Sequence, residues 1–383
     1  MIVGGGCMGA SVAYHLARCG VTDVVLVERE KLLATGSTGR NAGGVRHQFS
    51  NAANIALSIE SIALLEHFED HVGHQIDFHQ DGYLFLLSTP SSVETFTHNV
   101  ALQRSLGVGV EWLDPDAAAR LAPGLDVAGV IGATFCRRDG IADPNGVTMG
   151  FAKSAQAAGV TVARETEVIG IGVEHGRVVR VETTKGTIAT PVVVNAAGPH
   201  ARAIGRMAGV DVPVEPYRRH IFIAAFDARQ GSRGAANVPQ SRIMVIDFDT
   251  TFYFHREGAG VLFGMSDPGE APTFDTTVRW DFLEEATAVA IRRLPALADA
   301  SISHAWAGLY EMTPDANPII GPAPEVAGLF LINGFSGHGF QHSPAAGRIL
   351  ADLIVGRAPG IDLTPFALRR FTGQAVVGER NVV

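Results

Sequence analysis

Cysteine is scarce in this 383-residue chain: Cys7, Cys19 and Cys136 are all there are, and they lie far apart. Without a CxxC pair or a local Cys/His cluster, the sequence predicts neither a disulfide framework nor a metal centre. Basic charge is also in short supply. Thirty Lys and Arg against 39 Asp and Glu leave a net charge of −9, a poor match for nucleic acid or an anionic membrane surface. No run of about 18 apolar residues and no basic-then-apolar opening occurs, so neither a membrane span nor a signal peptide is expected. A reduced, cytoplasmic setting fits these absences. Internal repeats and low-complexity tracts are missing too, and 46% hydrophobic with 18% charged residues is ordinary for a globular protein.

Glycine is abundant, at 44 residues, and the first of them carry a motif. The opening MIVGGGCMGASVAYHLARCGVTDVVLVERE reads as strand, glycine turn, helix from about Ala10 to Cys19, and a strand over Val24–Val27. Gly4, Gly6 and Gly9 form G-x-G-x-x-G. The first permits a tight turn, the second lets the backbone approach a pyrophosphate, and the third lets helix and strand pack closely. The helix then points free N–H groups and its positive dipole end at the phosphates. Glu28 ends the second strand, roughly twenty residues on, where a carboxylate accepts hydrogen bonds from ribose hydroxyls. These residues alone leave NAD and FAD both open. The motif starts so early that only a stub of first strand fits. The expectation is a natural chain with more residues before it, or another segment covering that sheet edge.

The segment GSTGRNAGGVRHQFS (36–50) suits a loop running along a pyrophosphate and a flavin. Ser37, Thr38, Arg40 and Asn41 supply polar groups, while Gly43 and Gly44 leave space for a flat ring. This stretch resembles the signature of the D-amino-acid-oxidase superfamily, which includes glycine oxidase, sarcosine oxidases and proline dehydrogenase subunits. TPVVVNAAGPHA (190–201), LYEMTPDANPIIG (309–321) and NGFSGHGFQHSPAAGRILADLI (333–354) resemble its further blocks, in the family's order. The resemblance spans essentially the whole chain and implies non-covalent FAD. Some relatives attach the ring through a cysteine where Gly308 stands here. It adds Arg29, Val168, Ala197 and Gly198 to the cofactor set. It also adds the turn Gly334, Gly337, His338, Gly339, Phe340 and Gln341, placed against the flavin pyrimidine edge. Two stretches, GGVRHQFSNAANIALS and GHGFQHSPAAGRILADLIVGRAPGIDLTPFALRRF, are similar to a narrower group. These are mitochondrial FAD-dependent oxidoreductase-domain proteins that assist assembly of respiratory complex I.

The implied fold class is α/β. A Rossmann-like FAD-binding domain of the GR2 type (1–80, 146–214 and 306–383) is interleaved with an α+β substrate domain (81–145 and 215–305) built on an antiparallel sheet. Local patterns agree. RRHIFIAAF, RIMVID, TFYFHREG and GVLFGMSD read as strands of one sheet, and GRVVRVETTKGTIA as a hairpin. A helix is expected over about Asn145–Ala158, between Pro144 and Gly159. Residues 52–68 read as an amphipathic helix with Ile55, Ile59, Ile62 and Leu65 on one face.

For chemistry, the resemblance implies hydride transfer from the carbon beside an amine or hydroxyl to the flavin, with the protein positioning the substrate. Arg46 matches an arginine that pairs with the substrate carboxylate, a task suited to the guanidinium fork. Tyr310 and Tyr253 match positions on the substrate side of the flavin, where a phenol orients the ligand; each reads equally as a core tyrosine. His338 is the fourth catalytic candidate, as a hydrogen-bonding group beside the ring. His47, His220 and His255 read more readily as structural histidines. Two departures stand out. Gln341 replaces a carboxylate-binding lysine, and apolar GVLFG, with Leu262, replaces a strand whose lysine assists reduction of dioxygen. Expected partners are therefore a small carboxylate-bearing substrate and an electron acceptor. Quinone or a partner protein is favoured over dioxygen as acceptor, and a second subunit remains open. Oxidation of a C–N bond in an amino acid or N-alkyl amino acid leads. A 2-hydroxy acid dehydrogenase and a flavin-bearing assembly protein with little turnover are the alternatives.

Overall fold

A computed structural model describes residues 1–226, 234–373 and 378–382. Strand Ile2–Val3, helix Cys7–Arg18 and strand Val25–Val27 form in the expected order. The helix starts three residues earlier than expected, because Gly6 is its N-cap and Gly9 lies inside its first turn. Gly4 takes φ +114°, a region that favours glycine. A Cβ on Gly4 would collide with the Ala196 carbonyl, and one on Gly9 with the carbonyl of Gly4 itself. The two glycines thus set the tight turn and the close helix–strand contact.

The short first strand is not at an edge. It pairs in parallel with Val193–Asn195 on one side and Val25–Val27 on the other. The full order is Ile319–Pro322, Leu329–Asn333, Val193–Asn195, Ile2–Val3, Val25–Val27, Thr161–Ala163, with only the first pair antiparallel. Successive side chains alternate faces. Ile2 and Leu26 enter a core with helices Cys7–Arg18 and Gly339–Ile354. Val3 and Val27 enter a second core, against the antiparallel strands Val168–Glu174 and Arg177–Thr183 and helix Ala201–Met207. Both faces are covered, as a parallel sheet requires.

The second sheet has eight strands, in the order Ser301–Met312, Glu215–Ala225, Gly260–Met265, Phe252–Glu257, Met244–Asp247, Tyr83–Leu87, Gly132–Cys136, Val110–Leu113. The four strands anticipated here are present. They pair antiparallel with one another, as expected, while Met244–Asp247 runs parallel to Tyr83–Leu87 on its other side. These two come from different stretches of chain, so no hairpin dictates their direction. One face packs on helix Trp280–Arg293 through Phe222, Phe254 and Phe263. The other carries Tyr83, Ile221, Met244, Ile246, Tyr253 and Leu262 toward the first sheet. The site forms between them.

Two local expectations shift. Helix Pro144–Ala157 has Pro144 at its first position rather than before it. Helix Ala52–Glu66 buries Ile55, Ile62 and Leu65 but leaves Ile59 39% exposed. Its buried arc runs instead through Asn54, Leu57, Ser58 and Ser61, so Ile59 falls just past the edge of that arc. The six-stranded sheet lies wholly within the segments assigned above to the cofactor domain. Strand Ser301–Met312 crosses the assigned boundary at 305, and the two-part division stays a proposal; residues 227–233, 374–377 and 383 within it lie outside the described residues.

Gly9→Ala is expected to destabilise the fold by about 1–3 kcal/mol, because the added methyl has no room against Gly4. Urea unfolding of wild type and variant checks it; coincident midpoints would refute the close-packing role.

Candidate active site

Two cavities adjoin along the loop after the second strand. The larger, about 540 Å³, is lined by Gly4, Gly6, Glu28, Arg29, Val168 and Gly198, with Ala197, Ser37, Thr38 and Arg40 also on its wall. The smaller, about 130 Å³, continues past Cys7, Ser37, Thr38 and Arg40 to Asn41, Gly44 and the Gly337–Gln341 turn. Leu309 and Glu311 belong to both walls. Together, with the Gly4–Gly6 turn on the wall of the larger and Cys7, Ser37, Thr38 and Arg40 common to both, they offer space for an extended dinucleotide.

The donors at the joint fit a pyrophosphate. Helix Cys7–Arg18 has no side-chain cap on Gly6, and Gly6, Cys7 and Met8 at its start line the cavity; Cys7 N–H donates to Thr38 Oγ1 at 3.1 Å. Glu28 accepts from Gly5 N–H at 2.7 Å and Glu30 N–H at 2.9 Å, which holds its carboxylate on the cavity wall. Each oxygen keeps a lone pair for a ribose hydroxyl. The loop after it is pinned to strand Ser301–Met312. Ser37 Oγ donates to Leu309 O (2.7 Å), Arg40 to Ala307 O (2.9 Å), and Trp306 Nε1 to Arg40 O (3.0 Å). Helix Gly339–Ile354 also begins uncapped, with His338, Gly339, Phe340 and Gln341 on the wall of the smaller cavity.

Three of the anticipated cofactor glycines shape the backbone instead of lining a cavity. Gly9 packs on the first strand, and Gly43 (φ +76°) and Gly334 (φ +71°) sit in turns where a side chain would meet Ala142 O or Thr313. Arg40 lines both cavities, with one guanidinium hydrogen bond already made to a main-chain carbonyl.

All four catalytic candidates reach the smaller cavity. Tyr253 and Tyr310 present phenols that burial holds above the usual range, so they remain protonated donors. His338 lines the cavity with its ring already engaged. Its Nε2 lies 3.2 Å from Ala316 O and its Nδ1 3.3 Å from His342 Nδ1, so the imidazole braces the turn. Burial lowers its pKa to about 3, leaving it neutral. Arg46 is buried, with its terminal nitrogens donating to Gln48 O and Asn381 O, both at 2.5 Å, and its plane 4.0 Å over Phe49. Gln341 accepts from Arg46 N–H at 2.6 Å, so the residue in place of a lysine holds the arginine's backbone. Three lesser histidines are structural: His47 contacts Asp139 at 2.6 Å, His220 accepts from Arg279 N–H, and His255 contacts Arg256 O.

Several lining residues escaped the sequence reading. Tyr83 and Arg219 come from strands of the second sheet. Glu311 stood inside a quoted block, and a carboxylate in an otherwise uncharged strand end was the available signal. Its Oε2 is enclosed without a partner, and burial raises its pKa to about 7. The fold also brings His47 to Cys136 and Asp139, about ninety residues on, in a buried group whose potential ligand atoms lie within 4.8 Å. His47 and Asp139 already hydrogen-bond each other there. Cys7, the cysteine on the cavity wall, has its thiol pushed up to about 11 by burial, which suppresses the thiolate.

A glycine-cradled dinucleotide cavity that opens onto tyrosines and arginines defines a cofactor-dependent redox protein. The chain belongs to the FAD dependent oxidoreductase family, whose model matches residues 1–353. FAD-dependent oxidoreductase domain-containing protein 1 of Xenopus laevis is 32% identical over 100% of this chain and 84% of its own length. Human mitochondrial sarcosine dehydrogenase is 31% identical over 97% of the chain, which spans only 41% of that protein. Among solved structures, L-proline dehydrogenase from P. horikoshii superposes with a TM-score of 0.88 at 34% identity, covering 97% of this chain and 96% of that one. The cofactor is FAD, as anticipated. Among the described residues no helix is long and apolar enough to cross a membrane.

Glu311 supplies a pH test. Its pKa is raised on folding, so the folded chain keeps a proton that the unfolded chain releases above about 4.5. Its contribution is therefore full below that value and is lost as pH rises through about 7. In cofactor-free protein, the melting temperature of wild type should fall relative to Glu311→Gln across this window and then level off. Parallel curves would refute the buried-acid assignment.

Proposed function

We propose that this protein is an FAD-dependent dehydrogenase that oxidises the C–N bond of an amino acid or N-alkyl amino acid. One observation carries the reading. Three guanidinium groups, Arg40, Arg46 and Arg219, border the smaller cavity with Tyr253 and Tyr310, and none has a carboxylate partner among the described residues. Cations held on a cavity wall without counter-ions, Arg46 buried and Arg219 half-buried, are costly, and a ligand carboxylate relieves that cost. The relatives named for sarcosine and L-proline dehydrogenation support the same substrate class.

When bound, FAD supplies the acceptor for the substrate's hydride. The protein's residues hold the ligand carboxylate on a guanidinium and orient the amine against the phenols, so that the nitrogen lone pair closes a C=N bond as hydride leaves. Water then hydrolyses the imine. A hydroxy acid would instead need a base for its hydroxyl proton. His338 is a poor one, with both ring nitrogens engaged and its basicity lowered by burial. The amine needs none. Leu262 lies in the apolar cluster with Tyr253, which supports transfer of electrons to a quinone or partner protein in preference to dioxygen. The absence of a side chain at Gly308 and the suppressed Cys7 thiol support non-covalent FAD.

Anaerobic mixing with a panel of amino, N-methylamino and 2-hydroxy acids tests the reading through the visible flavin spectrum. Bleaching within seconds by an amino or N-methylamino acid is expected. Bleaching only by hydroxy acids overturns the C–N assignment, and bleaching by none, with FAD bound, favours a protein with little turnover.

A further inference from the structure

Strand Glu215–Ala225 alternates its charges between two environments. Arg218 faces away from the cavity and is neutralised by Glu270 at 3.0 Å and Asp275 at 2.7 Å. His220 points the same way, accepting from Arg279 N–H at 3.1 Å. By the two-residue period of a strand, Arg219 and Ile221 project oppositely, and both line the smaller cavity. Directly across the strand pair from Arg219 stands Gly308, and across from Tyr217 stands Tyr310. With no side chain at 308, the guanidinium lies over the Tyr310 ring, 5.1 Å from its centroid.

Arg219 is poorly satisfied there. Among the described residues its one hydrogen bond is from a terminal nitrogen to Arg218 O at 2.9 Å. Its Nε is enclosed without a partner, and no carboxylate lies within ion-pair distance among the described residues. Arg46 differs. Both its terminal nitrogens are tied to main-chain oxygens, its plane rests on Phe49, and its own N–H is held by Gln341. Arg40, the third arginine on this wall, is hydrogen-bonded to Ala307 O and shared with the larger cavity. Arg46 is immobilised by the protein, and Arg219 is left for a ligand.

We infer that Arg219 is the specificity-determining cation of this site: it takes the substrate carboxylate, while Arg46 braces the cavity wall. The assignment rests on the proposed reading that the site accepts a carboxylate. An enclosed N–H beside a terminal nitrogen is the edge of a guanidinium that meets a carboxylate with two parallel hydrogen bonds. The Tyr310 ring holds that edge in place by cation–π contact.

The test titrates FAD-loaded protein with acetate and benzoate, and with acetamide and benzamide as uncharged controls, following perturbation of the flavin spectrum. Because no turnover is read, failure of the C–N reading leaves this test intact. Wild type should bind the acids and not the amides. Arg219→Met should weaken acid binding by about ten- to hundredfold with FAD content and melting temperature kept, and Arg219→Lys should restore part of it. In the bleaching assay the same variants should raise KM more than they lower kcat. Three results overturn the inference: no carboxylate binding by wild type, unchanged binding in Arg219→Met, or a loss confined to Arg46→Lys. Should Arg219→Met fail to fold, Arg219→Gln is judged by the same criteria.

Discussion

The site depends on how closely two helices cross. Cys7–Arg18 and Gly339–Ile354 are far apart in sequence, yet a Cβ on Gly347 would collide with Ser11 on the other helix. Glycine at the crossing lets the two axes approach more closely than a side chain allows. The consequence lies at their starts. Neither helix has a side-chain cap, and both uncapped ends open onto the joined cavities. Unsatisfied amides at a buried helix end call for a partner. A dinucleotide diphosphate at one end and an electron-rich ring edge at the other are such partners. Close packing in the core is thus what aligns two sets of donors on one cofactor.

Around that alignment the protein arranges charge sparingly. Glu311 sits between the cavities with its pKa lifted by burial, so it carries less negative charge than an exposed carboxylate would. The phenols of Tyr253 and Tyr310 are held protonated for the same reason. His338 is held neutral and occupied. What remains is the positive charge of Arg40, Arg46 and Arg219, in a space walled by Met244, Ile246 and Ile221. In such low-dielectric surroundings a single guanidinium exerts more discrimination between an acid and its uncharged analogue than it would in water.

Much of this was legible in the chain. Gly4, Gly6, Gly9 and Glu28 could be read because their roles are local: φ +114° at Gly4, a helix start, and a strand end lie within thirty residues. Ser37, Thr38 and the Gly337–Gln341 turn followed from ordered blocks. What was not legible has a common origin. Ile59 looked buried because helical spacing places it near the stripe, but the neighbours decided where the stripe ends. His338 looked available because its partners, Ala316 and His342, are only revealed by the turn's geometry. The parallel pairing of Tyr83–Leu87 with Met244–Asp247 joins segments some 160 residues apart, which no local pattern encodes.

By itself, then, the sequence determined the dinucleotide unit and the α/β class. Those properties depend on glycine conformation, periodicity and residue type, all of which are short-range. Tertiary structure alone decided that Arg46 is tied to Asn381 and Gln48 while Arg219 is not, that Glu311 is enclosed, and that His47, Cys136 and Asp139 meet. The physical reason is that partnership and burial are properties of the neighbours a side chain acquires. Here the neighbours come from strands and segments distant in the chain.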